Sequence, residues 1–186
     1  MSIVRSSTAL VVLAMTMMDL TQAGAAAAAA PSTRSDKVYV YTDRRGDWCA
    51  VADAKTYDRK ASAENEAREI VEDFGTIQYS GDTPTKVSRA QTDADAEWWT
   101  ETTYSLDRTG SVIAAELYQD STEGEQHITR RHRYHYTVRG GIYVPLSIEA
   151  KKAAKDLIKV RSLASMPFAG LLDKARRSPG HQTFCS

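Results

Sequence analysis

Between Gln126 and Arg139 the chain gathers His127, His132 and His135 together with Arg130, Arg131 and Arg133. Imidazoles bind transition metals when their ring nitrogens converge. On an extended strand His132 and His135 fall on opposite faces, while His127 and His135 share a face but stand about 26 Å apart at about 3.3 Å per residue. Three neighbouring guanidinium groups also oppose a cation. No metal site and no cofactor is therefore expected here, and the informative feature is the alternation. His127, Thr129, Arg131, Arg133, His135, Thr137 and Arg139 share one face, and Ile128, Arg130, His132, Tyr134, Tyr136 and Val138 share the other. The second, more apolar face is expected to look toward a core.

The first face is then a ladder of cations in solvent, suited to carboxylates, sulfates or phosphates through forked arginine contacts. Arg131, Arg133 and His135, with Trp99 as a stacking surface, form the expected ligand-binding set. The competing expectation is a solvated face neutralised by Glu97, Glu101 or Glu116 on neighbouring strands. A catalytic alternative uses the same stretch, with His132 or His135 as base, Glu116 as acid and Arg131 or Arg133 holding the anion of an acidic polymer. A paired-carboxylate site is tested by loop length. A two-residue loop at Arg108 and Thr109 places Glu101 opposite Glu116, whereas a three-residue loop ending in Gly110 sends them to opposite faces. Asp107-Arg108-Thr109-Gly110 fits a type I turn followed by a glycine bulge, so no dyad is expected. The nucleophile-elbow, zinc-protease, phosphate-loop and dinucleotide fingerprints are all absent from the sequence.

These side chains need a sheet to hold them. Val38 and Val40 alternate with Tyr39 and Tyr41, a turn follows at Thr42 to Gly46, and Trp48 to Ala52 completes an opening hairpin. Ser62 is placed to cap a helix with Ala67, Ile70, Val71 and Phe74 on one face and Gly75 at its end. From Thr76 the period becomes two. The expected strands are Ile77–Ser80, Thr85–Ala90, Trp98–Leu106, Ser111–Gln119, Gln126–Val138 and Ile142–Ile148, with short turns that favour an antiparallel meander. Ile148, Ala153, Leu157, Ile158 and Val160 suit one helix, and Leu163 to Arg177 a second, interrupted at Pro167. The aromatics concentrate in the sheet; adjacent Trp98 and Trp99 point oppositely, and the outward one either stacks on a ligand or is covered by the terminal helices.

Two cysteines occur, Cys49 and Cys185. Arg5, the apolar run from Ala9 to Met18 and the small-residue site Ala23-Gly24-Ala25 come in the order of a signal peptide. An even cysteine count behind such a segment predicts a disulfide that clips the C-terminal tail to the first hairpin. Residues 1–25 are thus expected to be a signal peptide, 26–36 a flexible leader and 37–186 a single domain, secreted or periplasmic. No later run is long and apolar enough to span a membrane.

The chain has 186 residues, 24 basic against 24 acidic, and 42% hydrophobic residues. That balance gives no whole-protein attraction to nucleic acid and enough apolar material for one core. The fold class expected is α+β, an antiparallel β-meander packed against an N-terminal helix, with C-terminal helices. In element order this plan resembles cystatin-like rolls. Function is expected to be that of an exported, non-catalytic binding module for an anionic ligand, envelope glycan or protein. The alternatives are the small hydrolase or lyase above, and an inhibitor of an exported enzyme that makes contact through a loop at Asp120–Glu125.

Overall fold

The computed structural model describes residues 34–60, 73–92, 98–123, 128–178 and 180–186. The signal-peptide segment, the leader up to residue 33, the Ser62–Val71 part of the expected helix, Glu97 and His127 lie outside them. In chain order the elements are β1 (Lys37–Thr42), β2 (Trp48–Val51), α1 (54–60), β3 (Asp73–Ser80), β4 (Thr83–Thr92), β5 (Trp98–Leu106), β6 (Val112–Glu123), β7 (Ile128–Arg139) and β8 (Ile142–Pro145). They are followed by α2 (Ile148–Ala153), a 3-10 turn at Leu163–Ser165, α3 (Ala169–Arg177) and β9 (Phe184–Cys185). One nine-stranded sheet runs β8-β7-β6-β5-β4-β3-β1-β2-β9, every neighbour antiparallel. The fold is α+β, and strands β3 to β8 form the meander. Short connections between consecutive strands leave adjacency as the only economical pairing.

The helical layer covers one face of the sheet. Val38, Val40, Ile77, Val87, Leu117 and Val138 from the strands meet Ala150, Ala153, Leu157, Val160, Phe168, Leu171 and Leu172 from the C-terminal third. Phe168 is fully buried with its ring 4.9 Å from that of Trp48, and burial of a side chain this size stabilises by about 1.5–3 kcal/mol. Three tyrosine hydroxyls tie the layers together. Tyr136 donates to the Ala150 carbonyl at 2.7 Å, Tyr104 to that of Ile158 and Tyr143 to that of Val160, each at 2.5 Å. The Tyr143 hydroxyl also bears on a departure from expectation. The helix expected through Val160 ends at Ala153, and the Val160 amide, which a longer helix would pair with the Asp156 carbonyl, donates instead to Tyr143 at 2.9 Å. Tyr104, Tyr136 and Tyr143 of the meander thus meet the terminal segments.

A second departure concerns Phe74 and Gly75, which were expected to close a helix and instead lie in β3. Phe74 joins Tyr41, Cys49 and Tyr57 in a small cluster on the other face of the sheet, beneath α1. Gly75 is where β4 approaches: a Cβ there would sit 2.3 Å from the Ser88 carbonyl oxygen. Glycine at this position serves close backbone contact and not helix termination. The Asp36 carbonyl accepts from the Tyr79 amide at 2.9 Å, and the Ser35 carbonyl accepts from Arg176 at 3.0 Å, so both residues are tied to the fold.

The tail is clipped to the first hairpin. Cys49 and Cys185 form a disulfide, and β9 pairs with β2 at Cys49↔Cys185 and Ala50↔Phe184. His181 in the tail is held by Thr56 Oγ1 at 2.8 Å and Asp53 at 3.3 Å. Asp53 also caps α1 by accepting from the Thr56 amide at 2.7 Å. The Thr56 contacts, then His181, hold its carboxyl below the usual range.

Candidate functional site

The geometry of the site is set at the β5–β6 turn. Asp107 accepts from the Thr109 amide at 2.8 Å and the Ser111 amide at 3.0 Å, and Gly110 takes φ 81°, a conformation open to glycine without strain. The three-residue loop pairs Leu106 with Val112, as expected. A further irregularity then pairs Ser105 with Ala114, leaving Ile113 unmatched. This bulge adds a second one-residue shift to the first. Glu101 therefore lies opposite Tyr118, and Glu116 opposite Thr103. The two carboxylates share a face, two register positions apart, and not opposite faces as loop length alone predicted. They line one cleft of about 320 Å³ with Lys86, Thr103, Tyr118 and Arg133.

The same register aligns side chains in rows across β5, β6 and β7. Thr103, Glu116 and His135 form one row, Glu101, Tyr118 and Arg133 the next, and Trp99, Asp120 and Arg131 the third. All four residues of the expected ligand set share this outer face. Within it the cations stand outermost. Arg131 is 71% exposed against 23% for Asp120, which it meets at 3.1 Å. Arg133 is 62% exposed against 35% for Glu116, at 3.1 Å. His135 meets the other oxygen of Glu116 at 3.2 Å. Both arginine contacts are made through Nε, and a guanidinium carries five N–H donors. Tyr118 lies beneath, its ring 5.9 Å from the Arg133 guanidinium and its hydroxyl donating to Asp120 at 3.1 Å. Desolvation, then the bond to Asp120, raises its phenol above the usual range.

Of the catalytic alternatives, His135, Glu116 and Arg133 come together and His132 does not join them. His132 belongs to the opposite face, stacks on Tyr134 with centroids 5.9 Å apart, and lines a different cleft of about 400 Å³ with Gln91, Thr100, Gln119 and Asp156. His135 and Glu116 are in contact, but on open surface and with Glu116 shared by Arg133. Trp99 packs edge-on against Phe74 at 5.1 Å and is half-buried. Asp120–Glu123 of the expected Asp120–Glu125 loop belong to β6, and the remaining two residues lie outside the described ones. Asp120 was missed as the partner of Arg131; it follows Glu116 and Tyr118 at period two, but only the register shows that it meets that arginine. Among the described residues one group of potential metal ligands converges, Asp43 with Cys49 and Cys185, and both sulfurs are committed to the disulfide.

No protein-family model, curated protein or solved structure matches the chain. The likeness to cystatin-like rolls rests on element order alone.

Proposed function

We propose that this chain is an exported, non-catalytic binding module that engages anionic groups of its ligand through Arg131, Arg133 and His135 on the outer face of β6 and β7. The observation that carries the reading is the layering of charge: the carboxylates are recessed and the guanidinium groups project, so an approaching ligand meets cations first. The recessed acids orient the arginines, which reduces the side-chain entropy lost on binding. Trp99 and Tyr118 in the adjoining rows offer aromatic surface for a sugar ring or a partner side chain. The sequence order of charge, apolar run and small-residue site in the N-terminal segment, together with the disulfide, supports secretion or a periplasmic location. The ligand class is an acidic envelope glycan or the acidic surface of an exported protein.

Titration calorimetry with dextran sulfate and polygalacturonate, against neutral dextran, tests the proposal. Binding to the acidic polymers is expected to weaken as salt shortens the screening length to about 10 Å at 0.1 M. Replacing Arg131→Gln with Arg133→Gln should reduce affinity at least tenfold while thermal stability stays nearly constant, since exposed ion pairs contribute about 0–1 kcal/mol. An isotherm unchanged by the double substitution refutes it.

The 3.2 Å contact between His135 and Glu116 supports the hydrolase or lyase as a second reading. It requires turnover of the acidic polymer that His135→Gln abolishes without matching loss of binding.

A further inference from the structure

Five large hydrophobic side chains are exposed among the described residues: Ile113, Ile142, Val144, Leu146 and Ile148. Four of them alternate within seven consecutive positions, and Ile148, Leu146 and Ile142 are 72%, 61% and 69% exposed. Isolated surface hydrophobics are ordinary, but a contiguous row of aliphatics marks an interaction surface. This row runs along β8, the free edge strand of the sheet, and into the first turn of α2.

The charge around the row is one-sided. From Arg139 to Arg161 there are six basic residues, Arg139, Lys151, Lys152, Lys155, Lys159 and Arg161, against Glu149 and Asp156, in a chain whose total charge is zero. Their placement follows from the fold. Ala150 and Ala153 of α2 are buried against the sheet, so Ile148, Lys151 and Lys152, three and four positions apart, share its exposed side. Arg139 pairs with Ile142 across the β7–β8 turn, and the Arg161 side chain lies 3.6 Å from where a Cβ would stand on Gly141. The aliphatic row is thus bordered by cations at both ends.

Strand addition at this edge is disfavoured. The Leu146 amide donates inward to the His135 carbonyl at 3.0 Å, and backbone direction alternates along a strand, so of the two β8 residues turned toward the open edge, Tyr143 and Pro145, one is a proline. It has no N–H, and the strand is four residues long. Short, proline-bearing edges resist pairing with another strand. The positive border also sets two copies of the patch against each other. What remains is a surface of projecting aliphatics for an apolar, negatively charged partner.

We infer that the β8 edge and the start of α2 form a peripheral docking site for an anionic lipid surface, with Ile142, Val144, Leu146 and Ile148 entering the interfacial region and Arg139, Lys151, Lys152 and Arg161 meeting headgroup phosphates. Ile142 pairs with Arg139 and Val144 with Thr137, so the aliphatic row lies at the β8 edge of the sheet face that carries Arg131 and Arg133; it needs no membrane-crossing helix, and none of the described helices is long and apolar enough to be one.

Co-sedimentation of the protein with vesicles of phosphatidylglycerol and phosphatidylcholine, compared with pure phosphatidylcholine, tests this. Binding to the anionic vesicles alone is expected. Leu146→Ser combined with Ile148→Ser should reduce it more than tenfold, and because both side chains are already in solvent the fold should be retained. Lys151→Gln combined with Lys152→Gln should reduce it by about 25-fold, about fivefold for each charge near the surface. The Arg131→Gln, Arg133→Gln variant should lose less vesicle binding than the Leu146→Ser, Ile148→Ser variant, which distinguishes this patch from the proposed ligand face. Absence of vesicle binding overturns the inference. So does loss of vesicle binding in the Arg131 and Arg133 variant with no loss in the Leu146 and Ile148 variant. A third overturning result is a concentration-dependent dimer in light scattering that Leu146→Ser with Ile148→Ser abolishes while vesicles are ignored, since the patch would then be a contact between copies.

Discussion

Arg176 offers the sharpest test of the packing, because a guanidinium only 5% exposed joins segments far apart in sequence. Its Nε donates to the Ser35 carbonyl at 3.0 Å, Nη2 to the Gly81 carbonyl at 2.6 Å and Nη1 to Asp82 at 3.4 Å. The guanidinium also lies over the Tyr79 ring, 3.8 Å from its centroid. Hydrogen bonds to a charged group contribute about 1.5–3 kcal/mol each, and a desolvated cation over an aromatic ring about 2 kcal/mol. Against this stands a desolvation cost of several kcal/mol for the buried cation. Arg176→Met preserves the aliphatic stem and removes all four interactions, leaving two carbonyls short of a donor. The expected loss is about 3–5 kcal/mol. For a domain of this size each kcal/mol lowers the Tm by about 2–4 °C, so scanning calorimetry should show a fall of about 6–20 °C. Arg176→Lys keeps the charge but cannot span both carbonyls, and should recover less than half of the loss. A methionine variant within 1 kcal/mol of the parent in urea denaturation, with the lysine variant equally stable, would refute the clamp.

Gly75→Ala brings a methyl group to within 2.3 Å of the Ser88 carbonyl oxygen, a backbone atom of the neighbouring strand. Overpacking of this kind costs about 1–3 kcal/mol, so the urea midpoint should drop, and an unchanged midpoint would contradict the pairing of Gly75 with Arg89. Burial, ahead of any charge effect, pushes the Tyr57 and Tyr79 phenols up to about 12 from about 10 in the unfolded chain. Because the folded values are raised, this contribution to stability is intact below pH 10 and is lost as pH rises from 10 through 12. Tyr57→Phe with Tyr79→Phe should flatten that alkaline decline, measured by circular dichroism alongside tyrosinate absorbance; ionisation of both phenols near pH 10 in the folded protein would show that they are not buried.

The elements that recur at short period were legible in the amino-acid order. Residues Trp98–Leu106 form a strand with the expected bounds, the two faces of β7 separate solvent-facing Arg131, Arg133 and His135 from buried Tyr136 and Val138, and two cysteines in the whole chain have one possible pairing within it. Each of these depends on alternation or on counting, which a linear sequence contains. Tertiary structure decided the rest. Phe74 fits a helical spacing as well as a strand, and it became strand because β1 and β4 supply partners on both sides and Gly75 admits the close approach of β4. The segment after Ala153 has the apolar content of a helix, yet a tyrosine seventeen positions away takes the Val160 amide that such a helix would use. Whether Glu101 and Glu116 share a face turns on one unmatched residue, Ile113, and whether Arg131 meets a carboxylate turns on its register with Asp120. A one-residue slip reverses which face a side chain occupies, and that slip is fixed by contacts summed over the whole sheet, which no local window of sequence contains.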